Sequence, residues 1–112
     1  VFLDASSAST VGMLKHPSDG AEKYSTTEYW CELAKIAERG KLNALFIANY
    51  FVYHDVNKGP DNWKLRSSVG HSIPKVDPGV LVSLMAQNTK SFSFGVTFST
   101  IREDPALFGR RL

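Results

Sequence analysis

Hydrophobic and polar positions divide the chain into alternating segments. VFLDA, Val1 to Ala5, is a short apolar opening that reads as the end of a strand. A polar stretch follows to about Lys23, with Pro17, Ser18, Asp19 and Gly20 as turn residues. YSTTEYWCELAKIAERG then predicts a helix. Ser25 and Glu28 stand at capping-box spacing. Tyr29, Trp30, Leu33, Ile36 and Ala37 fall on one face, with Glu28, Glu32, Lys35, Glu38 and Arg39 mostly on the other. Gly40 is placed to take the left-handed conformation that ends a helix. LNALFIA, Leu42 to Ala48, is a nearly unbroken apolar run, the signature of a strand covered on both faces.

The stretch from Asn49 to Asp77 shows little periodicity, and loops of that length inside a compact domain are usually functional or disordered. DPGVLVSLMAQNTK predicts a second helix, capped by Asp77, with Pro78 at its first position and a buried stripe of Val80, Leu81, Leu84 and Met85. SFSFGVTFS alternates strictly. Phe92, Phe94, Val96 and Phe98 face one way, and Ser91, Ser93, Gly95, Thr97 and Ser99 the other. Asp104 and Pro105 then repeat the cap-then-proline start of a helix.

The order is β-α-β-α-β-α, which implies a parallel sheet with right-handed crossovers. A strand face of small residues opposite a face of Phe suits a closed barrel with a crowded interior. The fold class expected is therefore α/β, a partial TIM (β/α)8 barrel. A whole barrel of this kind needs about 250 residues. At 112 residues the chain supplies about the first three β/α units, as one truncated N-terminal piece of a barrel domain.

Composition narrows the function. Hydrophobic residues are 43% and charged residues 21%, ordinary values for a globular protein. The 13 basic and 11 acidic residues are interspersed, without the clustered basic face that nucleic acid requires. No apolar run approaches the roughly 20 residues of a membrane span, and the polar start does not read as a secretory signal. Cys31 is the single cysteine, so an intrachain disulfide is excluded; no Cys/His spacing suggests a metal site, and a reducing, cytoplasmic setting is expected.

Four stretches together carry a resemblance: KHPSDG, YSTTEYWCELAKIAERGKLNALFIAN, IPKVDPGVLVSLMA and SFSFGVTFSTIREDPALFGRRL. They look like the N-terminal part of the flavin-dependent monooxygenases of the bacterial-luciferase-like family, in the branch of nitrilotriacetate and dibenzothiophene-sulfone monooxygenases. The resemblance implies a TIM barrel. It also implies reduced FMN delivered by a separate flavin reductase, O2 as co-substrate, and insertion of one oxygen atom into a small organic substrate. An oligomer is compatible with it. Two positions match flavin-contacting positions of the family: Asn49, where the family most often has Asp, and Thr97, with Ser99 just beyond. The family's later motifs, which carry further flavin contacts, are expected after Leu112, so the chain alone is expected to be inactive.

Each of these residues has a structural alternative. Thr97 can fill a barrel interior, and Asn49 can start a loop. His16 and His54 are candidates for the substrate pocket, and His71 a weaker one, although surface or packing histidines explain them as well. Trp30 reads as helix packing and Cys31 as a buried structural thiol, while the terminal GRRL can pair with acids or phosphate, a solvated helix end being the commoner case. No catalytic residue is identified. The rival to the enzyme reading is a non-catalytic remnant acting as a small interaction or structural protein, with two exposed sheet edges.

Overall fold

The computed structural model describes residues 1–4, 6, 16–50, 59, 75–101 and 103–112. Among them, three strands form one parallel sheet in the order β1 (Phe2–Asp4), β2 (Ala44–Ala48), β3 (Ser93–Val96). Helix α1 (Thr27–Arg39) lies between β1 and β2 in sequence, α2 (Pro78–Gln87) between β2 and β3, and α3 (Pro105–Arg111) follows β3. Strands consecutive in sequence are neighbours in the sheet, which is the arrangement of a (β/α)8 wall.

Helix α1 starts one residue later than the sequence suggests. Thr26 is its N-cap; the hydroxyl accepts from the Tyr29 amide at 3.4 Å and donates to the Lys23 carbonyl at 2.8 Å. Ser25 instead closes a 3-10 turn, Ala21–Ser25. The expected Ser25–Glu28 capping box is thus absent: three residues after the true cap stands Tyr29, which has no carboxylate to reach back. The far end is also displaced. Gly40 has φ −72°, and the left-handed residue is Lys41 at φ 60°. The Leu42 amide donates to the Ala37 carbonyl at 3.1 Å and the Lys41 amide to the Glu38 carbonyl at 3.0 Å. That pair of bonds is a Schellman closure with lysine where glycine is usual.

The core lies between the helices and one face of the sheet. Trp30 and Ala34 of α1, Leu45 and Ile47 of β2, and Leu81 and Met85 of α2 form one buried cluster. The Trp30 indole N–H donates to the Tyr24 carbonyl, so its polar atom is satisfied inside that cluster. Ile36, expected on the buried face, is exposed, because it stands about 100° around the helix from Ala37. Val80 is likewise exposed, while Leu81 and Met85 are buried as expected, together with Pro78. Cys31 is half-buried between α1 and α2, where the Asn88 amide donates to its Sγ at 3.4 Å.

The apolar run of β2 is covered on one face only. Leu45 and Ile47 are fully buried, whereas Phe46 is 42% exposed and stacks on Phe2, with ring centroids 5.6 Å apart. Phe2, Phe46 and Gly95 stand in register across the three strands. A Cβ on Gly95 would lie 2.9 Å from the Phe46 ring, so the glycine makes room for that ring. The small face expected for β3 is this open face, and Phe94 and Val96 pack toward the helices. Side chains sharing rows across parallel strands are how a barrel interior is filled.

Asp77 and Asp104 cap α2 and α3 as expected, accepting from Gly79 and Ala106 amides at 2.9 Å each, with Pro78 and Pro105 following. The end of α3 is not simply solvated: Arg111 pairs with Glu103 and with Asp77, and its guanidinium lies 4.7 Å from the Phe98 ring centroid. Glu38 joins α1 to the turn before β3. Its carboxylate accepts from the Ser91 amide at 2.6 Å and the Lys90 amide at 2.9 Å. Those two bonds hold the Glu38 carboxyl below its ordinary value.

Candidate functional site

Parallel strands bring their carboxyl ends to one edge of the sheet, and barrel active sites are built there. In this chain that edge is formed by Asp4 at the end of β1, Asn49 just past β2, and Thr97 just past β3. The Thr97 amide donates to the Ile47 carbonyl at 3.1 Å, so sheet pairing continues to that position and Thr97 is held beside the exit of β2. Ser99 lies two residues further and is half-buried.

Asn49 is 6% exposed, and among the described residues neither its amide oxygen nor its amide nitrogen has a hydrogen-bond partner. Ser6 is equally buried, and its hydroxyl is also without a partner. Buried polar groups are almost always satisfied in native proteins, and each one left unpaired costs about 1–3 kcal/mol. Two such groups stand at the carboxyl edge of this small sheet.

The same edge carries an ion pair that sequence reasoning missed. The Lys75 ammonium donates to Asp4 Oδ1 at 2.8 Å, with both side chains only 10% exposed. The Tyr50 hydroxyl donates to Asp4 Oδ2 at 3.2 Å, and the Lys75 Nζ stands 3.6 Å from the centroid of the Tyr50 ring. An isolated antiparallel bridge between Ser6 and Lys75 brings the segment before α2 against the exit of β1. The cluster therefore ties together the ends of β1 and β2 and the approach to α2. Desolvating both charges offsets much of their attraction, while removing one partner alone costs about 3–5 kcal/mol. Asp4 and Lys75 are 71 residues apart, and no local pattern in the sequence links them.

His16 is exposed in a turn where its Nδ1 accepts from the Ser18 amide at 3.2 Å and its carbonyl from the Asp19 amide at 2.9 Å. His54 and His71 fall outside the described residues. Among the described residues, no group of His, Cys, Asp and Glu is placed to hold a metal ion, and no helix is long and apolar enough to cross a membrane.

Comparison with known proteins bears on the same sheet edge. No protein-family model matches the chain. It is 40% identical over 101 residues to the long-chain alkane monooxygenase of Geobacillus thermodenitrificans (strain NG80-2), a match covering 90% of this chain and 22% of the relative. It is 38% identical over 103 residues to the dimethyl-sulfide monooxygenase of Hyphomicrobium sulfonivorans, covering 92% and 21%. The chain thus spans about a fifth of the length of the curated relatives it matches. The crystal structure of DmoA from Hyphomicrobium sulfonivorans superposes with a TM-score of 0.88 at 33% identity, over 99% of this chain and 24% of that one. Riboflavin lyase (RcaE), solved with modified FMN and riboflavin, superposes at 0.85 with 27% identity, over 99% and 25%. These relatives are luciferase-like monooxygenases and barrel proteins, of which the three-stranded unit matches about a quarter.

Proposed function

We propose that this chain forms the first units of a flavin-dependent monooxygenase barrel, with Asn49, Thr97 and Ser99 lining the flavin. The observation that carries the reading is the buried, unpartnered amide of Asn49 at the carboxyl edge of the sheet. A side-chain amide offers two donors and a two-lone-pair acceptor in one plane. That set is complementary to the alternating carbonyl and imide N–H edge of an isoalloxazine ring. Asn in place of the acid usual in the family leaves this hydrogen bonding available without adding a charge.

When bound, reduced FMN supplies the electrons with which one atom of O2 enters a small organic substrate and the other leaves as water. The protein residues supply position and dryness. Thr97, held against β2, offers a hydroxyl beside the ring, and Ser99 a second one. The Asp4–Lys75–Tyr50 cluster fixes Tyr50, the residue after Asn49, and so restrains the backbone that presents the amide. A separate flavin reductase, a cytoplasmic setting and membership of the nitrilotriacetate and dibenzothiophene-sulfone branch belong to the same proposal, on the motifs quoted above. So do His16 and His54 as pocket residues, and so does the inactivity of the 112-residue chain by itself.

The test is a graft. The chain replaces the segment it matches in the Geobacillus long-chain alkane monooxygenase, and FMN binding and substrate-dependent O2 uptake are measured. The reading expects a folded graft that binds FMN and consumes O2, while the 112-residue chain alone leaves micromolar FMN fluorescence unquenched. A folded graft that does not bind FMN would overturn it.

A further inference from the structure

Ser6 and Lys75 carry hydrogen-bonding capacity that no described residue uses. Their backbones are paired in the isolated bridge, and side chains directly opposite in such a pair start about 4.5–5.5 Å apart on one face. The Ser6 hydroxyl is buried and unpartnered. Lys75 gives one N–H to Asp4 and rests on the Tyr50 ring. An ammonium has three donors, so donor capacity remains on the residue whose backbone is paired with that of Ser6. The acceptors are already engaged: Asp4 Oδ1 takes the Lys75 bond and Oδ2 the Tyr50 hydroxyl. The corner is therefore rich in free donors, has no net charge in its ion pair, and lies at the carboxyl edge of the sheet.

We infer that this corner receives the carboxylate or carboxamide oxygen of a small molecule, held by the Ser6 hydroxyl and the Lys75 ammonium. Asp4 and Tyr50 act as positioning residues that keep the ammonium in place. Two adjacent donors match the two oxygens of a carboxylate or the carbonyl lone pairs of an amide. A bare hydrocarbon or thioether offers neither. Calling this ligand the substrate rests on the monooxygenase reading; the binding itself does not.

The test uses the 112-residue chain labelled with 15N and titrated, in separate arms, with sodium butyrate, butyramide and dimethyl sulfide. Saturable shifts at Ser6, Lys75 and the Lys75 ammonium are expected with butyrate or butyramide, and none with dimethyl sulfide. Response to both means that the oxygen suffices, and response to butyrate alone means that its charge is also read. Ser6→Ala weakens the binding about tenfold, the loss of one charge-assisted or strong hydrogen bond. Its thermal midpoint stays level or rises, because the hydroxyl it removes has no partner in the folded chain. Lys75→Met abolishes the response where it still folds. Absence of saturable shifts with both oxygen ligands, or an undiminished response in Ser6→Ala, overturns the inference. Suppression of the butyrate response by millimolar FMN also overturns it, because the corner would then belong to the flavin carbonyls. Failure of the folded alkane-monooxygenase graft to bind FMN, with the butyrate shifts of the 112-residue chain intact, counts against the flavin reading alone.

Discussion

Asn49 has the environment of a packing residue and the chemistry of a ligand contact. Its burial was not legible in the sequence, where an Asn after an apolar run reads equally well as the start of a loop. The fold places it under the end of β2 with both amide atoms unpaired. Replacing it with leucine, which keeps the branch at Cγ with larger end groups, removes about 1–3 kcal/mol of unmet hydrogen bonding. Asn49→Leu is therefore expected to raise the urea midpoint of the chain or leave it unchanged, and a clear fall would show that the amide is satisfied in solution. Glu38 presents the opposite case. Its Oε1 accepts from both the Ser91 and Lys90 amides, and its folded pKa is depressed. Its contribution to stability is complete above the ordinary glutamate value of about 4.3. That contribution is lost as pH falls from there through the depressed folded value. Glu38→Gln should flatten that part of an acid-unfolding profile, measured by circular dichroism between neutral pH and the acid limit; parallel profiles would deny the carboxylate this role.

At the scale of elements, the helix starts of α2 and α3 were legible because an N-cap is a contract among neighbours: Asp77 and Asp104 each accept from an amide two residues on. The alternation of β3 was legible for the same reason, and Gly95 proves to be the space beneath the Phe46 ring. What a local pattern cannot carry is the choice among near-equivalent positions. Thr26 and Ser25 are both good caps, and the 3-10 turn that uses Ser25 decides between them. The phase of the buried faces of α1 and α2 was set by Leu45 and Ile47, so Ile36 and Val80 ended outside. The Schellman closure of α1 gives a quantitative check. Lys41 sits at φ 60°, a conformation that costs a residue with a Cβ about 1 kcal/mol relative to glycine. Lys41→Gly is therefore expected to stabilise the chain by about 0.5–1 kcal/mol in chemical denaturation. A loss of stability would contradict the assigned closure.

The described residues form a three-stranded parallel wall with helices on one side. Its other side shows Phe2 and Phe46, with Phe2 70% exposed. In a complete (β/α)8 barrel that side is the packed interior, and active sites are built at the carboxyl edge, where this chain carries Asp4, Asn49 and Thr97. The order and direction of the strands followed from the alternation of helix and strand patterns. The Asp4–Lys75–Tyr50 cluster did not, because it exists only once residues 71 apart in the chain are brought together. The central claim is that this rim holds a flavin through Asn49 and Thr97. Its most direct test is the dissociation constant of FMN for the alkane-monooxygenase graft, with and without Asn49→Leu and Thr97→Val. The account predicts that each substitution weakens FMN binding about tenfold or more, the loss of one hydrogen bond in a dry site, while the graft keeps its circular dichroism spectrum. An FMN affinity unchanged by both substitutions would contradict it.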